Sequence, residues 1–141
     1  MSSVFETVVA GVAVFVIGQI IIKFIAEPIL DFRSLLGKIT QFFLRYQSQI
    51  MCAKGTEEIE EMLFVFASEL LQKRQSIILY SYLSCVYGLP AYNKVLSAAK
   101  NINLIGNLVC TKENKGDEQV QIYEAMSKIE TSLKINIRYN K

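Results

Sequence analysis

From Thr7 to Ile22 the chain reads TVVAGVAVFVIGQIII, a run without a single charged side chain. Lys23, Phe24, Ile25 and Ala26 extend it to about twenty residues, the length a helix needs to cross a hydrocarbon core. Lys23 does not end the run, because its stem can lie along a helix while the ammonium reaches the headgroups. Val14, Val16, Ile17, Ile20, Ile21 and Ile22 leave no amphipathic face, so a transmembrane helix is expected, with a fully buried core helix as the alternative. A cleaved signal peptide fits less well. Met1 to Glu6 holds no Lys or Arg, and Lys-Phe-Ile-Ala-Glu-Pro follows the run where a small-x-small cleavage site should stand.

Beyond Pro28 the pattern changes from uniformly apolar to one-sided. Phe32, Leu35, Leu36, Ile39, Phe42, Phe43, Tyr46 and Ile50 recur in steps of three and four and form one helical stripe. Asp31, Arg33, Lys38, Gln41, Arg45 and Ser48 lie away from it. Proline is tolerated at a first helical turn or kinks a continuing helix. Residues 5 to 50 are therefore predicted as one long helix bent near Pro28.

Ala53-Lys54-Gly55-Thr56 breaks the pattern. Thr56 is the expected N-cap, followed by Glu57, Glu58, Glu60 and Glu61 in the electropositive first turn of a second helix. That helix carries Ile59, Met62, Leu63, Phe66 and Leu70 inward as it nears Lys73-Arg74, and it is expected to continue, or restart, through Ile77 to Tyr87. Ile77 to Leu89 is strongly apolar but too short to span a bilayer. Burial in the bundle core is its plain expectation, and a membrane-surface or subunit-interface segment is the alternative that Tyr80, Tyr82 and Tyr87 would suit. Gly88-Leu89-Pro90 marks a stop. A helix from about Ala91 to Leu108 would bury Tyr92, Val95, Ala99, Ile102 and Ile105. After a polar loop, Thr111 to Asp117, Asp117 would cap a last helix burying Val120, Tyr123, Met126, Ile129 and Leu133. The tail from Asn136 is polar and basic and expected to fray. The fold class is thus all-α: a single N-terminal transmembrane helix continuing into a cytoplasmic bundle of about four helices. Residues 1–27 are the anchor, 28–135 the helical domain and 136–141 a polar tail.

Composition removes functions more readily than it adds them. The 141 residues are 52% hydrophobic and carry a net charge of +2, which gives no sign of a nucleic-acid partner. There is no His, hence no commonest general base or metal ligand. Cys52, Cys85 and Cys110 are odd in number, far apart and without a C-x-x-C, so they are expected to be free thiols, buried as small hydrophobes in a reducing compartment. Cys85 has no His to activate it. No phosphate loop, nucleophile motif, repeat, cofactor site or metal site is legible, and no small-molecule substrate is implied. A non-enzyme is expected.

Charge also orients the span. Only Glu6 lies upstream, whereas Lys23, Arg33, Lys38, Arg45 and Lys54 follow it, so the N-terminus is expected outside and the rest in the cytoplasm. Two features of the span point to association. Gln19, Lys23, Glu27 and Asp31 fall four apart on one face, where polar groups meet other helices, water or a pore lumen. The plainer reading is a snorkelling Lys23 paired with Glu27. Thr7, Gly11 and Gly18 line another face with small residues suited to close packing. Arg33, Lys38 and Arg45 suffice to set topology and can also meet anionic lipid.

Gly18-Gln19-Ile20, Lys23-Phe24 and Glu27-Pro28-Ile29, with Arg33 one turn on, resemble a family of short, uncharacterised bacterial membrane proteins. These share one N-terminal span, a Glu-Pro just after it and a helical cytoplasmic part. The resemblance is closest over residues 17 to 46 and implies a bacterial inner membrane without implying a chemistry. Membrane lipid and further copies of the chain are the expected partners, in an assembly that forms a pore or perturbs the membrane. The alternative is a tethered adaptor that recruits a soluble protein.

Overall fold

Pro28 has no amide hydrogen, and its ring crowds the carbonyl four residues back. The chain answers with a widened turn rather than a break. In the computed structural model, which describes residues 2–110 and 116–139, helix α1 (Ser2–Ile21) passes through a π-helical turn (Ile22–Ala26) into α2 (Glu27–Arg45). The Glu27 amide donates to the Ile22 carbonyl, five residues back, and Pro28 sits in the first turn of α2. The bend expected near Pro28 thus takes the form of a π turn, one of the recognised ways a helix absorbs a local misfit.

The long helix ends at Tyr46, and a short α3 (Gln47–Met51) follows. Ala53, at φ 50°, helps turn the chain back. Helix α4 (Glu57–Gln75) then runs antiparallel to α2, since Phe66 meets Phe42 edge-on with centroids 5.2 Å apart and Lys73 Nζ lies 2.8 Å from Asp31. Thr56 occupies the N-cap position with extended backbone, but its side chain makes no capping bond. After α5 (Tyr80–Tyr87) the chain reverses at Gly88, whose φ of +65° favours glycine. Helices α6 (Tyr92–Val109) and α7 (Asp117–Leu133) complete the bundle, α6 packing on both α4 and α7. The protein is all-α, with no strand among the described residues.

The core is drawn from the four long helices of the bundle. Phe32, Ile39 and Phe43 come from α2, Leu63 and Leu70 from α4, Ile102 and Ile105 from α6, and Ile122, Met126 and Ile129 from α7, all essentially sealed from solvent. Each such side chain contributes about 1.5–3 kcal/mol by leaving water. No residue of α1 takes part in this core. At Gly55, whose amide bonds to the Val109 carbonyl at 3.2 Å, a Cβ would collide with the Val109 side chain.

Several inward positions differ from the sequence expectation. Met62, Tyr92, Val120 and Tyr123 are exposed, whereas Ala67, Ala98 and Ala125 are buried beside the expected Ala99. Small side chains take the positions where helices approach most closely. Two of the displaced aromatics instead carry cations: Arg74 lies 3.8 Å above the Tyr92 ring and Arg138 lies 4.6 Å above Tyr123. Gly116, not Asp117, is the N-cap of α7. Residues 111–115 of the expected polar loop and residues 140–141 of the expected tail lie outside the described residues.

The described part of the tail does not fray. Ile137 is fully buried, its amide donates to Glu130 at 3.1 Å, Arg138 pairs with Glu130, and the Tyr139 amide reaches Gln47 of α3. Both members of the ion pair are about nine-tenths buried. Removing one strands the other away from water, so Glu130→Ala should cost about 3–5 kcal/mol. Phe43→Ala should also cost about 3–5 kcal/mol, whereas Phe15→Ala should leave stability unchanged. Denaturation of each variant in mild detergent, followed by circular dichroism, measures these differences.

Candidate functional site

Among the described residues, α1 is the one long helix that contributes no side chain to the bundle's core. Val4, Phe5, Val8, Val9, Val12 and Phe15 are exposed, as are the later Ile20, Ile21, Ile22 and Phe24. None of the most apolar stretch of the Ser3–Arg45 helix is buried, and that helix is long and apolar enough to cross a membrane. The alternative of a fully buried core helix is thereby overturned.

Two lines of residues distinguish the sides of this helix. Thr7, Gly11 and Gly18 make the first. The Thr7 hydroxyl donates to the Ser3 carbonyl at 2.8 Å, so the helix satisfies it internally. A Cβ added at Gly11 or Gly18 would meet nothing within 4 Å, leaving the small-residue face open to a close neighbour. Gln19, Lys23 and Glu27 make the second line, and all three are exposed. Gly18 and Gln19 are consecutive, so the two lines stand about 100° apart. Four residues of α-helix overshoot a full turn by about 40°. The wider turn at Ile22–Ala26 reduces that overshoot and keeps Gln19, Lys23 and Glu27 in closer alignment.

Asp31 leaves this ladder for the bundle, where Lys73 of α4 holds it. Among the described residues no ion pair joins Lys23 to Glu27. Gln19, Lys23 and Glu27 therefore stand together with their polar groups turned outward, at the end of the apolar surface.

The region from Ile77 to Leu89 differs most from its plain expectation. Ile77, Tyr80 and Leu89 are buried, but Ile78, Leu79, Tyr82, Val86 and Tyr87 are exposed. The core space beside α4 is taken by α6. Leu79 stands in the left-handed region at φ 57°, a conformation costing a non-glycine residue about 1–2 kcal/mol, and it starts α5 away from the line of α4. Tyr80 is the link to the bundle. Its hydroxyl donates to the Pro90 carbonyl and its ring meets Phe32 edge-on. Burial raises its pKa, opposed by the nearby Arg74.

An open groove of about 510 Å³ lies between α2 and α4. Lys38, Phe42 and Arg45 line it from α2, and Met62, Val65 and Glu69 from α4. Periodicity placed Met62 inside, which concealed this groove; alternation of charged and apolar residues along both helices is the signal that could have located it.

The thiols differ from the buried positions expected of them. Cys52 and Cys85 are exposed rather than buried, and Cys110 is partly covered. Burial first, and then hydrogen bonding and charge from Glu60, push the Cys110 thiol above its ordinary pKa. No protein-family model, curated protein or solved structure matches the chain.

A raised pKa means less thiolate at a given pH and slower alkylation. In detergent solution near neutrality, Cys110 should react more slowly than exposed Cys52, with its own rate still climbing above the ordinary thiol range. Mass-resolved iodoacetamide labelling across pH reads this directly.

Proposed function

We propose that the protein is a non-enzymatic, single-pass protein of a bacterial inner membrane that acts by self-association, gathering its spans into a pore or a membrane-perturbing assembly. The N-terminus lies outside and the helical bundle in the cytoplasm. The observation that carries this reading is that α1 is apolar over most of its surface and exposed, while the bundle completes its core without it. A helix of that kind is stable in lipid, where its backbone bonds are already satisfied internally.

The two lines on α1 support association. In a ring of spans, Thr7, Gly11 and Gly18 pack against the next copy. Gln19 and Lys23, on the adjacent side, turn toward the centre, with Glu27 at the cytoplasmic mouth. Membrane lipid and other copies of the chain are then the partners. The groove between α2 and α4 favours a second reading, in which a monomeric or dimeric anchor holds a soluble partner at the membrane.

Native mass spectrometry of the full chain in nanodiscs separates the two. A closed oligomer of defined number supports assembly, and a monomer or simple dimer supports the adaptor. Gly11→Leu combined with Gly18→Leu should dissolve the oligomer. Gln19→Leu combined with Lys23→Leu should preserve the fold but abolish ion flux in vesicles; unchanged flux and assembly would remove the pore. For topology, an impermeant maleimide applied to intact spheroplasts should leave Cys52 unlabelled until lysis.

A further inference from the structure

We infer that α5 and the turn before it form a second membrane contact, lying in the headgroup layer beside the span. The inference rests on α1 crossing the bilayer, as proposed above, and adds a surface that the span does not require.

Height along the long helix is the first argument. Helix α4 climbs toward α1, because Phe66 lies beside Phe42 while Lys73 lies beside Asp31. Each further residue rises about 1.5 Å, which brings the Ser76–Leu79 turn to roughly the level of Pro28. The apolar run ends at Ala26. A headgroup layer of about 5–7 Å on each side of the hydrocarbon core therefore reaches this turn.

Orientation is the second. Tyr80, the first residue of α5, packs on Phe32 with ring centroids 6.3 Å apart. Tyr87, the last, accepts a hydrogen bond from Arg33 through its carbonyl at 2.7 Å. Both ends of α5 thus meet consecutive residues of α2, about 10 Å past Ala26 along the rod, so α5, with a radius of about 5–6 Å including its side chains, reaches the headgroup layer with its upper face rather than its axis. A helix about 12 Å long that begins and ends at one level lies across the long helix, parallel to the plane of a membrane that α1 crosses.

Chemistry is the third. Leu79, Tyr82 and Val86 follow in steps of three and four on one face and are 62%, 75% and 77% exposed. Apolar side chains with tyrosine suit the boundary between acyl chains and headgroups. Lys73 is engaged by Asp31, whereas Arg33 donates to a neutral backbone carbonyl and is a cation at this end of the bundle that complements anionic headgroups. The occupant is lipid rather than a second copy, because this exposed face stands next to the level at which the apolar run of the span ends.

Cys85 lies on the exposed side of α5 and serves as the reporter. The full chain carrying Cys52→Ser and Cys110→Ser is labelled at Cys85 with nitrobenzoxadiazole in mixed phosphatidylcholine–phosphatidylglycerol vesicles. Nitroxide-bearing lipids then quench from the headgroup or from deep in the acyl chain. A Phe15→Cys label in a cysteine-free chain reports the span, and a label at Cys52 reports the distant end of the bundle.

The expected result is several-fold stronger quenching of the Cys85 label by headgroup and shallow nitroxides than by deep ones. Phe15→Cys should be quenched by deep nitroxides and Cys52 by none. A Cys85 label that stays in water while Phe15→Cys is quenched overturns this inference and leaves the span intact. A Cys85 label shielded from water but unquenched means that protein covers α5, which also overturns it. An unquenched Phe15→Cys label removes the span, and this inference with it.

Discussion

One continuous helix has to satisfy two solvents, and its changeover between them organises the molecule. From Thr7 to Ile22 the rod carries no charge, and Gln19 begins its one polar line. From Ile29 onward only one stripe is apolar, and that stripe carries Phe32, Ile39 and Phe43 into the core. The changeover occupies the few residues around the π turn and Pro28. A widened turn costs less than a broken helix, so the rod remains unbroken where its surroundings change. It also sets the angular position of Lys23 and Glu27 relative to the bundle. Rotation of the bundle about the long axis is therefore coupled to the side on which these charges emerge.

The bundle below this point is self-sufficient in its packing. Four long helices exchange aliphatic and aromatic side chains, and the described tail closes one side through Ile137 and the buried Arg138–Glu130 pair. An α1 with no role in that core is free to serve another purpose. In the proposed arrangement the bundle positions the spans while the spans meet lipid and one another. The turn before α5 adds a second point of attachment, which would restrict the tilt of the bundle against the bilayer. A pore built from many copies would benefit from such restriction, because each span would be held in one rotational setting.

The helical class and the apolar N-terminal helix were legible because their signals are long: an uncharged run, then stripes repeated over several turns. The stripe on α2 was read correctly over most of its length. Tyrosines on α6 and α7 misled, since Tyr92 and Tyr123 resemble core residues in hydropathy but act as outward platforms for Arg74 and Arg138. Alanine carries too little hydrophobic weight to mark Ala67 or Ala98 as contact positions. Nothing local identifies Leu79 as left-handed, and its turn decides that α5 lies outside the core rather than within it. The tail was missed because one isoleucine among polar residues, paired at long range, has no periodicity. Of the candidate site residues, Thr7, Gly11, Gly18 and Gln19 lie on α1, Lys23 lies in the π turn and Glu27 begins α2. The π turn that shifts Lys23 and Glu27 relative to Gln19 is not revealed by spacing alone.

The central claim is that α1 lies across a bilayer and not in water or protein. A nitroxide scan along positions 4 to 24 of the full chain in vesicles tests it most directly, by comparing collision with oxygen against collision with a water-soluble nickel complex. The account predicts oxygen access greatest near Val14 and Phe15, with nickel access rising toward both ends. A uniformly high nickel access, or a helix shielded from both reagents along its whole length, would contradict it.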